Sequence, residues 1–202
     1  MYALVENNEI TKFINHPKSM VIGDVRYPAK IFQLWSTSEL NAIGIYEVVT
    51  DSSNFKDEAY YINTNEEYNF ADNQATRSWG TATPKRLEDE NAVDENGDPV
   101  LDDDGVQLIN YGLKTDKKRI IKQQASGLLE KTDWHNHKAF DDETYTIPNN
   151  IKTYRANVRS KSNEMETQID ACTTVQELET LYTYTTTDGV QSRPLAEFPE
   201  EI

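Results

Sequence analysis

The stretch ASGLLEKTDWHNH, residues 125–137, marks the point where a helical pattern ends in the second half of the chain. Apolar residues recur at helical spacing through Ile121 and Leu128, after Thr115 as a capping residue. A Thr-Asp-Trp motif interrupts this spacing, and two histidines follow it. The simplest interpretation is that the polar residues turn the chain while Trp134 closes the core at the end of the helix.

The same stretch allows two chemical alternatives. His135 and His137 are two residues apart, so that in a strand both rings would lie on one face, where a symmetric trimer could complete a metal site. Asp133 and His135 could instead form an acid–base pair. No GxSxG nucleophile elbow and no glycine-rich nucleotide motif accompanies them. The sequence therefore predicts no catalytic residue and no cofactor, whereas metal binding by the histidines stays open.

Two further helices are predicted downstream. One begins near Pro148, a favoured first-turn residue, and carries Tyr154 on its apolar face beside Arg155 and Arg159, which are one turn apart. The other begins with a capping box in TTVQELETLY. The remaining residues predict a strand, an Asp-Gly turn and an extended tail.

The first fifty residues predict a β-rich module with one helix. Asn7 and Asn8 separate two short apolar runs, which indicates a hairpin because asparagine tolerates positive φ. A capping box of Ser36 and Glu39 starts the helix, and Gly44 ends it. The side chains expected to anchor this helix to the sheet are Leu34, Trp35, Leu40 and Ile43.

Residues 51–86 contain many aromatic side chains, in the runs EAYYIN, EEYNF and RSWGTATPKR. Such side chains could bind a sugar. They more often pack a thin sheet or an intersubunit contact, and packing is the interpretation preferred here.

Residues 87–105, the acidic segment, contain nine carboxylates and no basic side chain. Oxygen ligands alternate at Asp94, Asn96 and Asp98, as in a calcium loop. However, the glycine and glutamate of an EF-hand are replaced by Pro99 and Gly105. The Asn-Gly and Asp-Gly pairs instead predict hairpin turns, although metal binding is left open. The basic residues Lys117, Lys118, Arg119 and Lys122 are expected to pair with this segment.

Composition limits the classes of partner. The chain has 202 residues and a formal net charge of −15, so nucleic acid and anionic membranes are disfavoured by repulsion. No apolar run approaches the roughly 18 residues of a membrane helix. The hydrophobic fraction is 37% and mean hydropathy is −0.75, which indicates thin cores that gain stability from oligomerisation. Cys172 is the only cysteine, and a packing role is expected for it.

These patterns predict an α+β fold with a small β-rich N-terminal domain, an acidic hairpin insert and a C-terminal helical region of two to three helices. The predicted boundaries give an N-terminal α/β module over residues 1–50 and an aromatic and acidic strand/loop region over residues 51–114. Residues 115–202 form the helical region with its extended tail.

A family resemblance is carried by LLEKTDW after a helix, YRANVR in the next helix and TTVQELETL after it. This order resembles a C-terminal region of tail-fibre assembly and tail-associated proteins of tailed bacteriophages. The opening MYALVENNEITKFI and the stretch YPAKIFQLWSTSELNAIGIYEV are similar to the start of tail-region proteins of marine phages. The matching residues in the second half are Leu128, Leu129, Thr132, Asp133, Trp134, Tyr154, Arg155 and Arg159. The acidic segment and the C-terminal tail depart from this pattern.

The resemblance implies binding and assembly rather than catalysis. It predicts a tail structural protein that attaches or decorates tail fibres or the baseplate, with other phage tail proteins as partners in an oligomeric assembly. Such a protein would be assembled in the host cytoplasm and located in the virion tail. The alternative is a tail-fibre assembly chaperone that is absent from the mature virion. A third class, suggested by the many carboxylates and not by the resemblance, is an enzyme such as a polysaccharide depolymerase. The candidate protein-contact or core anchors are Trp35, Trp134, Tyr154, Arg155 and Arg159.

Overall fold

A computed structural model describes the whole chain, Met1–Ile202. The chain forms two compact units, Met1–Thr83 and Pro84–Ile202. The first unit contains the five-stranded sheet and two short helices, and the second contains the four longer helices. The predicted α+β class is therefore confirmed. The division between the units falls inside the region 51–114 that the sequence analysis treats as one.

The first unit contains α1 (Ile31–Leu34), α2 (Thr37–Ala42) and the strands β1 (Tyr2–Glu6), β2 (Glu9–Ile14), β3 (Met20–Ile22), β4 (Val25–Tyr27), β5 (Ile45–Thr50), β6 (Tyr61–Ile62), β7 (Glu67–Ala71) and β8 (Gln74–Ser78). A two-residue strand, β9 (Thr83–Pro84), spans the boundary. The second unit contains β10 (Glu90–Asn91), β11 (Ile109–Asn110), α3 (Leu113–Glu130), α4 (Trp134–Asp141), α5 (Asn149–Ala171), α6 (Val175–Tyr182), β12 (Thr185–Thr187) and β13 (Val190–Ser192). None of the helices combines the length and the apolar content that a membrane span requires.

The sheet of the first unit has the order β2-β1-β5-β8-β7. Its pairs are antiparallel except for β5 and β8, which are parallel. The β1–β2 hairpin turns at Asn7 and Asn8, whose φ angles are 53° and 67°, so the predicted turn is confirmed. The outer strands β2 and β7 approach each other through Phe13 and Tyr68, whose ring centroids are 4.5 Å apart. The sheet is consequently curled.

The core of the first unit lies between this sheet and the short helices. Its buried members are Leu4, Ile14, Met20, Ile31, Leu40 and Ile45. The capping box at Ser36 is confirmed: its amide donates to Glu39 Oε2 at 2.8 Å, and its hydroxyl accepts from the Glu39 amide at 3.3 Å. The Glu39 carboxylate accepts from the Ser36 amide and from the Ser36 hydroxyl, and these two hydrogen bonds favour its ionised form and lower the pKa of Glu39.

The predicted anchors of α2 are only partly correct. Leu40 is buried, and Trp35 and Ile43 pack half-buried against the core. Leu34, however, is 75% exposed. The prediction was wrong there because Leu34 ends the separate helix α1, and that helix turns Ile31 inward instead.

The aromatic side chains of residues 51–86 pack within the first unit. Tyr60 and Tyr61 are buried. Across the sheet Tyr46 meets Phe70 at a centroid distance of 4.6 Å, and Phe55 contacts the Trp79 ring edge-on at 4.8 Å. These contacts agree with the packing interpretation of the aromatic runs.

The second unit is organised around the packing of α3 against α5. Ile121 on α3 and Val158, Met165 and Ile169 on α5 are almost completely buried, as is Leu178 on α6. Helix α5 begins after Pro148, and Thr174 caps α6 with Glu177, as predicted. Helix α3 begins at Leu113, two residues before the predicted cap.

Candidate protein-contact site

Trp134 lies on the surface rather than in the core. Its side chain is 54% exposed, so the prediction that it closes the core at the end of the helix was wrong. The physical reason is that Trp134 begins a further helix, α4, after α3 has ended at Glu130. The half-buried side chains of Leu128 and Leu129 cover this end of the core instead.

The exposed indole is held in one orientation by its neighbours. It stacks on the imidazole of His135 with centroids 3.7 Å apart and an interplanar angle of 26°. The buried His135 ring lies nearly parallel to the Tyr145 ring, and its Nδ1 shares a hydrogen bond with the Tyr145 hydroxyl. An aromatic side chain fixed in this way loses little conformational entropy when it binds a partner.

The turn before Trp134 is fixed by Arg155, which lies on α5. One guanidinium nitrogen, Nη1, donates to the Leu129 carbonyl at 2.8 Å and to the Thr132 hydroxyl at 2.7 Å. The other, Nη2, lies 2.7 Å from Asp133 Oδ1. The guanidinium thus adds a charged donor to a carbonyl at the end of α3 that also accepts from the Thr132 amide at 3.0 Å and the Thr132 hydroxyl at 2.9 Å. We call Arg155 with Leu129, Thr132 and Asp133 the arginine clamp.

The clamp brings the Thr-Asp-Trp and Tyr-Arg motifs together in space through Arg155, Thr132 and Asp133. Arg155 is 7% exposed, so it positions the turn and does not itself offer a surface for a partner. Tyr154 is likewise buried, in a cluster with Ala125 and Val158. Both residues are therefore core anchors, whereas Trp134 is exposed.

The other two candidate residues are separate from this arrangement. Arg159 is exposed, and its Nη1 lies 3.4 Å from the Arg155 carbonyl one turn earlier on α5. Trp35 belongs to the first unit, where it packs half-buried with its ring edge-on to Tyr27 at 5.8 Å. The structure therefore places Arg155 against the turn that precedes Trp134, with Tyr154 buried next to it on α5, and Trp35 has its contacts elsewhere.

Sequence reasoning missed helix α4 and the exposed Phe140 on it, which is 88% exposed. The run WHNHKAFD contains few apolar residues, so it was interpreted as a loop. Placing His135 and His137 on a helix separates their directions by about 200°, which removes the shared face that the metal alternative required. No three potential metal-ligating side chains come together anywhere in the chain.

The turn after α4 positions Tyr145. Asp142 Oδ1 accepts a hydrogen bond from the Thr144 hydroxyl at 2.6 Å and another from its amide at 3.0 Å. These bonds, the hydroxyl first, lower the pKa of Asp142. Lys138 lies over the Tyr145 ring with its Nζ 4.5 Å from the centroid. The ring that supports His135 is thus itself held from two sides.

The contacts of this site favour binding over proton transfer. The pair proposed from the sequence, Asp133 and His135, is not formed by hydrogen bonding: Asp133 contacts Arg155, and His135 bonds Tyr145. What remains accessible is an oriented indole and the Phe140 side chain on one short helix, which we call the α4 surface. Large aromatic groups of this kind are enriched among the residues that dominate protein–protein binding.

Comparison with known proteins gives no matching protein family, no similar curated protein and no similar solved structure.

Proposed function

We propose that this protein is a structural component of a bacteriophage tail, which attaches or decorates the tail fibres or the baseplate through protein–protein contacts. The phage tail is proposed as the assembly because LLEKTDW, YRANVR and TTVQELETL resemble segments of tail-associated proteins. Its partners would be other tail, fibre or baseplate proteins, and its location the virion tail.

The observation that carries the proposal is the exposure of Trp134 within an otherwise fixed setting. A tryptophan that is 54% exposed gives up part of the stabilisation that burial of its ring would contribute to folding. The arginine clamp and the His135 ring nevertheless hold it in place. A rigid, exposed aromatic anchor is the arrangement expected of a residue whose burial is completed by a partner.

A tail-fibre assembly chaperone is the second candidate, because it would use the same helices and the same exposed tryptophan. The two functions differ in where the protein is found after assembly. Quantitative mass spectrometry of purified phage particles separates them. Detection at a fixed ratio to the tail proteins supports the structural component, whereas presence in infected-cell lysate and absence from particles supports the chaperone.

The role of Trp134 is tested by Trp134→Ala in a phage that otherwise encodes the natural chain. We expect incorporation into particles, or fibre yield for a chaperone, to fall by about tenfold or more, since hot-spot tryptophans contribute at least about 2 kcal/mol to binding. The melting temperature of the isolated protein should change little.

Leu34→Ala is the matched control, because Leu34 is 75% exposed in the first unit. Incorporation of the Leu34→Ala protein should match that of the natural protein. If Trp134→Ala particles instead assemble with the natural amount of the protein, the α4 surface does not bind the tail.

A further inference from the structure

The segment from β10 to β11, which we call the acidic arm (residues 90–110), exposes an unusual amount of apolar surface. Five of its large apolar side chains are between 43% and 60% exposed: Val93, Leu101, Val106, Leu108 and Ile109. None of its residues is classed as buried. In a segment this acidic, polar side chains could occupy these positions without loss of a core, so the apolar side chains need an explanation outside the arm.

The arm keeps its shape through two lobes with the same backbone hydrogen bonds. In the first lobe the Asp94 amide donates to the Asp98 carbonyl at 2.9 Å, and its carboxylate accepts from the Asp98 amide at 2.9 Å. In the second the Asp102 amide donates to the Val106 carbonyl at 2.9 Å, and its carboxylate accepts from the Val106 amide at 2.8 Å. A glycine with positive φ closes each turn, as the sequence predicts.

A ring of three hydrogen bonds joins the lobes to the base of the arm. Ala92, Val100 and Leu108 are eight residues apart, and each amide donates to the carbonyl of another member at 2.8 to 3.0 Å. Gln107 Nε2 donates to the same three carbonyls at 2.7, 3.1 and 3.0 Å. Backbone and amide groups therefore fix the arm, and its apolar side chains are left free to contact something else.

The base of the arm has internal cationic partners. Glu88, just before the arm, pairs with Lys114, and Glu90 pairs with Arg86. At the tips of the two lobes, no ion pair forms with the carboxylates of Glu95, Asp98, Asp103 and Asp104, which are all exposed. The apolar side chains are therefore framed by negative charge that the chain does not neutralise.

The basic cluster on α3 does not supply this neutralisation, so the expected pairing with the acidic segment was wrong. Lys118 pairs with Asp170 at 2.7 Å, Arg119 with Asp116 at 2.6 Å, and Lys122 with Glu166 at 3.2 Å. Asp116 lies three residues before Arg119 on α3, and Asp170 and Glu166 lie on α5, which packs against α3.

We propose that the acidic arm is a docking surface for a partner protein segment that carries lysine or arginine beside apolar side chains. Charge complementarity selects this occupant, because the tip carboxylates favour cations and the exposed apolar side chains favour apolar contact. A second copy of the chain is a poor occupant, since its net charge is −15 and its α3 cations are paired. Nucleic acid and anionic lipid are repelled. The proposal does not depend on a role in a phage tail.

The test uses the full chain, labelled for nuclear magnetic resonance, and a synthetic peptide of alternating leucine and lysine. We expect the peptide to shift the amide signals of the arm more than those of the rest of the chain, with an affinity that falls as salt is added. A serine–lysine peptide and a leucine–glutamate peptide should each bind at least about tenfold more weakly, because each lacks one of the two contributions.

Two arm variants locate the contact. The first is Leu101→Ser with Val106→Ser, and the second is Glu95→Gln with Asp103→Asn and Asp104→Asn. Each variant should lower the affinity for the leucine–lysine peptide by about fivefold to tenfold, because each removes only a few exposed contacts. Retained slow hydrogen exchange of the Ala92 amide, which donates to the Leu108 carbonyl and is not adjacent to any substituted residue, would verify that the arm keeps its fold.

The matched control for charge is Glu9→Gln with Asp24→Asn and Asp188→Asn, three exposed carboxylates outside the arm. The control should leave the peptide affinity unchanged. Equal weakening by the control, equal binding of the serine–lysine peptide, or peptide shifts located outside the arm would each overturn the proposal. Self-association that is lost with Leu101→Ser and Val106→Ser would also overturn it, because the occupant would then be a second copy.

Discussion

The second unit contains two regions that become rigid by opposite means. The α3–α5 pair is held by buried side chains such as Val158 and Ile169, with the arginine clamp as a polar centre at one end. The acidic arm has no buried residue and is held by backbone hydrogen bonds and by Gln107. The helix pair uses its apolar side chains for folding, whereas the arm leaves them exposed.

The two regions differ in whether their apolar side chains stabilise the fold or stay available for binding. Burial of apolar side chains is the main stabilising contribution to a folded domain, so the helix pair can support the rest of the unit. Hydrogen bonds contribute less to net stability, but they are directional and can shape a small segment. A segment that is shaped by hydrogen bonds, such as the acidic arm, needs little apolar burial, and its apolar side chains remain available to a partner. The comparison can be tested by disrupting each region separately.

The largest effect is expected at the arginine clamp. Arg155→Ala removes the hydrogen bonds to the Leu129 carbonyl and the Thr132 hydroxyl together with the ion pair to Asp133, and it leaves a gap where the buried guanidinium lay. We expect it to lower the free energy of unfolding by about 2–4 kcal/mol. Chemical denaturation measures this directly, and Arg159→Ala, an exposed neighbour on the same helix, should change stability by about 0.5 kcal/mol or less. Equal effects of the two variants would show that the clamp is not a structural centre.

The junction between the arm and α3 should be the next most sensitive place. A Cβ at Gly112 would lie 2.4 Å from the Glu88 carbonyl carbon, so Gly112→Ala forces two backbone segments apart. We expect a loss of about 1–3 kcal/mol. Gly127, within α3, has nothing within 4 Å of its Cβ position, so Gly127→Ala should instead stabilise by about 0.5–1 kcal/mol. Thermal denaturation of the two variants should therefore show shifts of opposite sign.

Loss of the Gln107 amide from the arm should have a local effect. Gln107→Ala removes the donor shared by the carbonyls of Ala92, Val100 and Leu108, while their backbone hydrogen bonds can remain. We expect the arm to open more easily by about 1–2 kcal/mol, with little change in the melting temperature of the chain. Amide hydrogen exchange of Val100 and Leu108 measures the change. A large drop in the melting temperature would mean that the arm and the helix pair unfold together.

The smallest effect is expected from acid. Amides of Asp98 first, and then Asn96, donate to the Asp94 carboxylate and lower its pKa. A lowered pKa in the folded state means that the stabilisation is present above the ordinary aspartate pKa and is lost as pH falls through the folded value, below about pH 4. The Asn96 and Asp98 amide signals should report this loosening of the first lobe. Asp94→Asn should abolish the pH dependence; an unchanged titration would assign it to another group.

Several elements were predictable because their signals are local. Asn7 and Asn8, the capping boxes at Ser36 and Thr174, and the glycine turns of the acidic segment each depend on residues only a few positions apart. Their conformations follow from backbone preferences and from short hydrogen bonds. The structure agrees with the sequence at all of these positions.

The errors occurred where neighbours distant in sequence decide the outcome. Leu34 and Trp134 were expected to face the core because they are large and apolar, but short helices that the pattern did not reveal turned both outward. The cations of α3 were expected to pair with the nearest acidic run in sequence. Lys118, Arg119 and Lys122 pair instead with carboxylates on their own helix and on α5, because the packing of the helices brings those groups closer. Lys114, at the start of α3, does pair with that run, through Glu88.

The sequence by itself determined the α+β class, the capped helices, the tight turns and the excess of negative charge, since each depends on composition or on contacts within a few residues. Only the tertiary structure decided that Arg155 is buried in a clamp, that Trp134 is exposed beside it and that the apolar side chains of the acidic arm face outward. The physical reason is that burial depends on which elements pack together, and a one-dimensional pattern fixes the spacing of side chains without fixing what covers them.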